Sequence, residues 1–77
     1  MRLSKNEVTL LETSFEKGPV RRYDLMQAAK ADKVPMNHFS RLLGGLIRKG
    51  LIKSESKNAS SPLLYSITDK GEYEAMI

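Results

Sequence analysis

Between Leu46 and Gly71 the chain carries four signals in an order that few folds accommodate. Arg48-Lys49-Gly50 closes a helix, because glycine just past a basic last turn is a helix stop. Leu51 to Glu55 and Leu63 to Ile67 are short, partly alternating apolar runs of strand length. The tract between them, Ser56 to Pro62, is turn chemistry with no large apolar residue, so the two runs form a hairpin with a hydrophilic tip, its wing spanning 54–62. Thr68-Asp69-Lys70-Gly71 then opens a last helix, with Thr68 as its cap. A hairpin inserted between helices makes the chain α+β and mainly α, and 77 residues hold one small domain, read here as 1–77.

Upstream of this stretch the pattern is helical. Ser4 with Glu7 three residues on is a capping box, and Val8, Leu11 and Phe15 recur at helical spacing as a buried stripe. Leu3 and Leu10 lie off that stripe, either as the edge of a wide core face or as a second face for a partner helix. Gly18-Pro19 ends the helix and Val20-Arg21-Arg22 is a short link. A compact second helix over Tyr23 to Ala31 follows, whose alanines permit close approach by a crossing helix. Ala31 to Val34 is the turn, and Pro35 suits the first position of a third helix over Pro35 to Lys49.

That third helix has two faces of opposite character. Phe39, Leu42, Leu43, Leu46 and Ile47 form one apolar stripe; opposite them lie Asn37, Arg41, Gly44 and Arg48, flanked by His38, Ser40, Gly45 and Lys49. The outward side carries donors, amides, hydroxyls and glycine but no carboxylate, which suits contact with phosphates in a major groove. Gly44-Gly45 is costly in a helix, about 1 kcal/mol for each glycine relative to alanine. Either a ligand backbone approaches closely there, or the helix kinks or packs against another part of the same protein.

Charge is unevenly distributed along the chain. The segment from Lys17 to Lys57 holds ten basic residues against Asp24, Asp32 and Glu55, a net of +7, while the remainder nets −3, giving +4 in all. A basic middle between acidic ends is the footprint of a nucleic-acid face, or of an unevenly charged solvated surface. With no cysteine and one histidine, neither disulfides nor a structural zinc is expected, and no cofactor is implied. Lys5, Glu7, Glu12 and Glu16 interrupt the first seventeen residues, so no signal peptide, membrane span or membrane partner is expected and the chain reads as cytoplasmic.

Ser40-Arg41-Leu42-Leu43-Gly44-Gly45-Leu46-Ile47-Arg48-Lys49-Gly50-Leu51-Ile52-Lys53, with Ile67-Thr68-Asp69-Lys70-Gly71 some fifteen residues later, resembles the winged helix-turn-helix regulators of the MarR and PadR kind. The resemblance implies three helices, a two-stranded hairpin wing and a short C-terminal helix, used for double-stranded DNA binding in transcription regulation, as a repressor. By position it implies base-edge contacts from Asn37 and Arg41 and phosphate or mixed contacts from His38 and Ser40. Arg48 and Lys49 fall on phosphates, Gly44 on the close approach, Lys53, Lys57 and Asn58 on the wing, and Arg21, Arg22 and Tyr23 on an anchor at the second helix. The wing departs from the pattern in having only Lys57 near its tip. The long dimerising helices of those families have no counterpart here, so a homodimer would use Leu3, Leu10, Tyr73, Met76 and Ile77, and there is no room for their effector pocket. A dimer would recognise an inverted repeat with half-sites about 10 bp apart.

Two other classes compete with DNA binding. An enzyme is not expected, because His38 has no nucleophile or carboxylate partner implied by spacing. Tyr23, Tyr65 and Tyr73 are spread over three elements and make no ladder for single strands. The rival is a winged-helix protein-interaction module or small subunit of a larger assembly, for which an apolar anchor on the outer face of the third helix is expected and none is present.

Overall fold

A computed structural model describes residues 3–76; Met1, Arg2 and Ile77, the last of them named above as a dimer residue, lie outside the described residues. The order is α1 (Lys5–Lys17), α2 (Arg22–Ala31), a 3-10 turn (Met36–His38), α3 (Phe39–Arg48), β1 (Ile52–Glu55), β2 (Leu64–Ile67) and α4 (Asp69–Met76). The architecture is α+β, mainly helical, with one antiparallel hairpin.

α1 begins as its sequence dictates. The Ser4 hydroxyl accepts from the Glu7 N–H at 3.2 Å and the Glu7 carboxylate accepts from the Ser4 N–H at 3.0 Å, satisfying two of the amides that a helix start leaves unpaired. Its buried face differs from the expected one. Leu10 and Leu11 are fully buried and Ser14 is 1% exposed, whereas Phe15 is 50% exposed and Val8 only partly covered. The buried residues are Leu10, Leu11, Thr13 and Ser14, with the Glu7 side chain largely covered one turn earlier, a face rotated from Val8, Leu11 and Phe15. Its polar end is tolerated because Ser14 Oγ donates to the Leu10 carbonyl at 3.0 Å. Leu10 is therefore core and not available to a partner; Leu3 is half-buried against the same core.

α2 starts one residue earlier than expected and ends with Lys33 at φ 66°, the Val34 N–H reaching the Ala29 carbonyl at 3.0 Å and the Lys33 N–H the Lys30 carbonyl at 3.0 Å. This six-residue closure needs a left-handed residue, a position that glycine usually takes. Pro35 does not enter the next helix. It stays extended at φ −60°, ψ 124°, and its carbonyl accepts the His38 N–H at 3.1 Å, so Met36–His38 is a 3-10 turn and the α-helix proper begins at Phe39. α3 ends with the same closure on a glycine: Gly50 has φ 76° and the Leu51 N–H donates to the Leu46 carbonyl at 2.9 Å.

The hairpin pairs Ile52 with Ile67, Lys53 with Ser66, Ser54 with Tyr65 and Glu55 with Leu64. The link between α1 and α2, expected as plain connection, adds a further pairing: Val20 exchanges both backbone hydrogen bonds with Tyr65, at 3.0 and 2.7 Å. β2 thus lies between Val20 and β1. Beneath this layer the buried side chains Leu10, Leu11, Leu25, Ala29, Val34, Phe39, Leu43, Leu46, Leu51 and Ile52 form one core to which every helix but α4 contributes a buried side chain.

α4 closes the core through its backbone. Thr68 N–H donates to the Leu51 carbonyl at 3.0 Å, Thr68 Oγ1 donates to the Gly50 carbonyl at 2.7 Å, and the same oxygen accepts the Gly71 N–H at 3.0 Å. Gly71 is buried with its Cα against Leu51: a Cβ there would collide with the Leu51 carbonyl oxygen and lie 2.6 Å from Ile67 Cγ1. Gly71→Ala should therefore lower unfolding free energy by about 1–3 kcal/mol or more, the cost of overpacking a site lined by backbone. Urea unfolding followed by circular dichroism measures it.

Candidate nucleic-acid interface

The side chains expected to meet DNA fall into three groups, set by the start of α2, the outward side of α3 with its preceding turn, and the hairpin. At the first, Arg21 is the extended residue before α2, Arg22 opens the helix and Tyr23 is 67% exposed. Arg22 is not a free cation. Its Nη2 donates to Ser40 Oγ at 2.5 Å, and its guanidinium carbon sits 5.4 Å from the centroid of the buried Phe39 ring, a cation–π distance. Arg22 and Ser40 together tie the start of α2 to the first turn of α3, with one face of each still in water.

On α3, Arg41 and Arg48 are exposed and Gly44 half-buried, one helical ladder as expected. Among the described residues no carboxylate lies within ion-pair distance of Arg41 or Arg48. Asn37 and His38 are exposed too, but they stand on the 3-10 turn, which winds at 3 residues per turn in place of 3.6. Their directions are therefore set by the Pro35 turn and not by the ladder that carries Arg41. The extended Pro35 causes this difference.

Lys49 departs further from expectation. Its Nζ lies 2.5 Å from Glu7 Oε2, linking the end of α3 to the start of α1, so it is an interhelical partner and not an open phosphate contact. The acid-free side of α3 thus acquires a carboxylate from another helix at its Gly45 and Lys49 edge. The Glu7 side chain is 14% exposed. Burial pushes its carboxyl up, and the Lys49 ammonium and the Ser4 N–H and hydroxyl together outweigh that, holding it below its ordinary value of 4.5.

The glycine pair has no internal requirement. A Cβ at Gly44 would meet Arg48 Nη1 at 3.6 Å; one at Gly45 would meet Glu7 Oε2 at 3.8 Å and Arg48 Nη2 at 3.9 Å, all ordinary contacts. Close packing within the protein therefore does not explain Gly44-Gly45, and α3 runs unbroken through both.

In the hairpin, Lys53 is exposed and lies 3.5 Å from Glu55 on the same strand, and Lys57 is exposed at the tip. Asn58 has a structural job that its sequence position did not reveal. Its Oδ1 accepts from the Ser60 N–H at 3.0 Å, from Ser60 Oγ at 2.8 Å and from Ser61 Oγ at 3.0 Å, and its carbonyl accepts from Ser56 Oγ at 2.9 Å. The tip is thus a self-bonded turn that fixes where Lys57 stands. Tyr73 and Met76 are 66% and 80% exposed on α4.

No protein-family model matches the chain, and no curated protein matches it. A solved structure of a protein with unknown function from Listeria innocua Clip11262 is similar, with a TM-score of 0.77 over 95% of this chain at 25% identity. The chain spans about half of that protein, 48% of its length.

The Glu7–Lys49 pair has a defined pH signature. Because the folded carboxyl lies below its unfolded value, the pair's contribution is present above 4.5 and is lost as pH falls through the lower folded value. Glu7→Gln keeps the capping geometry and removes the charge. It should cost up to about 1 kcal/mol at neutral pH, and denaturant unfolding of both proteins across an acid series should show that gap closing below 4.5.

Proposed function

We propose that this chain is a winged-helix domain that binds double-stranded DNA sequence-specifically, as a small transcriptional regulator acting as a repressor. α3 and the turn before it enter the major groove, and the hairpin is the wing on the flanking backbone. The observation that carries this reading is the exposed pair Arg41 and Arg48, one helical face apart from any carboxylate within ion-pair distance among the described residues. Unpaired arginines displace counterions from a duplex without first breaking an internal bond.

Three further features support it. The helix order, the hairpin and the Val20 pairing are compatible with a winged helix. Gly44 and Gly45 weaken α3 by about 1 kcal/mol each with nothing inside the protein to offset it, which fits a surface that a groove edge approaches closely. Arg22 and Ser40, already bonded to each other, present a guanidinium and a hydroxyl beside the first turn of α3, suited to one phosphate. In this reading Arg41 reads guanine with two hydrogen bonds, Asn37 reads adenine, and His38, Arg48, Lys53 and Lys57 meet the backbone.

Gel-shift and anisotropy titrations on the duplex upstream of its own gene and on random duplex, each at two salt concentrations, test the proposal. Preference for the upstream duplex is expected, with Arg41→Ala losing about 1–3 kcal/mol and most of the preference. Arg48→Ala should weaken both duplexes alike and flatten the salt dependence by about one phosphate. Equal, weak binding to both duplexes, unchanged by Arg41→Ala, overturns the sequence-specific reading. Gly44→Ala separates ligand approach from folding: unfolding free energy should rise by up to about 1 kcal/mol while duplex affinity falls.

A further inference from the structure

The two carboxylate oxygens of Glu7 have separate jobs. Oε1 accepts from the Ser4 N–H at 3.0 Å and Oε2 faces Lys49 Nζ at 2.5 Å. Only the first belongs to the start of α1, where a glutamate three residues past the cap satisfies an amide that the helix leaves unpaired. The second engages a lysine that stands at the end of α3, on the edge of its outward side. The helix end does not need that ammonium for itself, because Lys70 Nζ already donates to the Lys49 carbonyl at 3.2 Å.

Gly45 fixes where this carboxylate stands. The Lys49 N–H bonds to the Gly45 carbonyl at 3.0 Å, so the two residues are one turn apart on one edge of the helix. A Cβ on Gly45 would lie 3.8 Å from Glu7 Oε2 and 3.9 Å from Arg48 Nη2, so the carboxylate and the guanidinium flank the same bare stretch of backbone. An anionic oxygen in contact with a lysine beside the exposed ladder of Arg41, Gly44 and Arg48 has the chemistry of a backbone phosphate on a DNA-facing helix. The carboxylate is the anchored partner, held also by Ser4 and 14% exposed; the lysine side chain is 34% exposed, on a flexible stem that can turn to another anion.

We propose that Glu7 holds Lys49 in reserve: its carboxylate takes the place of a backbone phosphate at the end of α3 and so limits how tightly the domain grips any duplex. This rests on duplex binding by α3, as proposed above, and assigns to α1 a part in setting its strength. Phosphate contacts carry no sequence information, so the restraint acts on all duplexes alike. Glutamine at position 7 lifts it without unmaking the cap. Its one carbonyl oxygen still accepts from Ser4, and its amide N–H groups then face the Lys49 ammonium as donor against donor, which releases the lysine.

Anisotropy titrations of the whole chain on the upstream and random duplexes, each at two salt concentrations, test it. Glu7→Gln, shown to be folded by circular dichroism, should bind both duplexes more tightly by the same factor, up to about eightfold at about 0.1 M salt, with a salt dependence steeper by about one phosphate. Lys49→Ala added to Glu7→Gln should remove that gain. Lys49→Ala alone should leave the wild-type salt dependence unchanged, because the lysine touches no phosphate there. Glu16→Gln makes the same charge change about two and a half turns further along α1, beside Asp32, and should bind as the wild type does. A wild type that binds while Glu7→Gln binds no tighter overturns the inference and leaves DNA binding standing. So does a gain that survives Lys49→Ala or that Glu16→Gln reproduces, or a salt dependence that Lys49→Ala alone flattens. If neither the wild type nor folded Glu7→Gln binds any duplex, DNA binding falls and the inference with it.

Discussion

The second half of the molecule depends on the backbone of one residue, Leu51. Its N–H completes the closure of α3 on Leu46, its carbonyl receives Thr68 at the far end of the hairpin, and its side chain is fully buried. Gly71 rests on the same carbonyl, so the entry to β1, the exit from β2 and the first turn of α4 are fixed against one peptide unit. A small domain buries only about 60% of the surface that its unfolded chain exposes. Locking three element ends with backbone hydrogen bonds uses little apolar area, which suits a chain of this size. The Thr68-to-Gly71 motif is thus explained by geometry: a hydroxyl that both donates to Gly50 and accepts from Gly71, and a glycine because the floor beneath it is a carbonyl.

Where local chemistry decides structure, the sequence was readable. The Ser4–Glu7 box, the Gly50 stop, the polar hairpin tip and the Thr68 cap each depend on residues within a few positions of one another, and each stands where it was expected. The misreadings concern contacts made at a distance. On α1 the apolar residues Val8, Leu11 and Phe15 suggest one stripe, but the other elements bury the neighbouring one. That stripe begins with Glu7 and ends with Ser14, polar residues that hydropathy places outside; each becomes acceptable only through a bond, Glu7 to Lys49 and Ser14 to Leu10. Val20 is a single pairing without a strand, too short for any periodicity to reveal.

The candidate site shows the same division. That α3 would present Arg41, Gly44 and Arg48 outward follows from its spacing, and they are outward. That Lys49 is engaged by a carboxylate from α1, or that Arg22 leans over Phe39 to reach Ser40, depends on how helices cross, which spacing along one helix does not encode. Both ion pairs and stacking narrow the list of free cations. What remains is a shorter array than composition suggested, with Arg21 before α2, Arg41 and Arg48 on α3 and Lys57 beside the Asn58 turn.

The Val20–Tyr65 pairing has a consequence for how the domain comes together. Val20 lies before α2 and Tyr65 near the end of the chain, so the bond joins segments that enclose α2, α3 and β1. Closing so long a loop costs entropy that only the finished sheet and core return. A nascent chain can wind its helices in turn, yet the anchor between α1 and α2 stays unmade until Tyr65 has left the ribosome. The Val20 anchor ties the junction of α1 and α2 to the hairpin, so opening the hairpin at Tyr65 leaves the Val20 backbone groups unpaired.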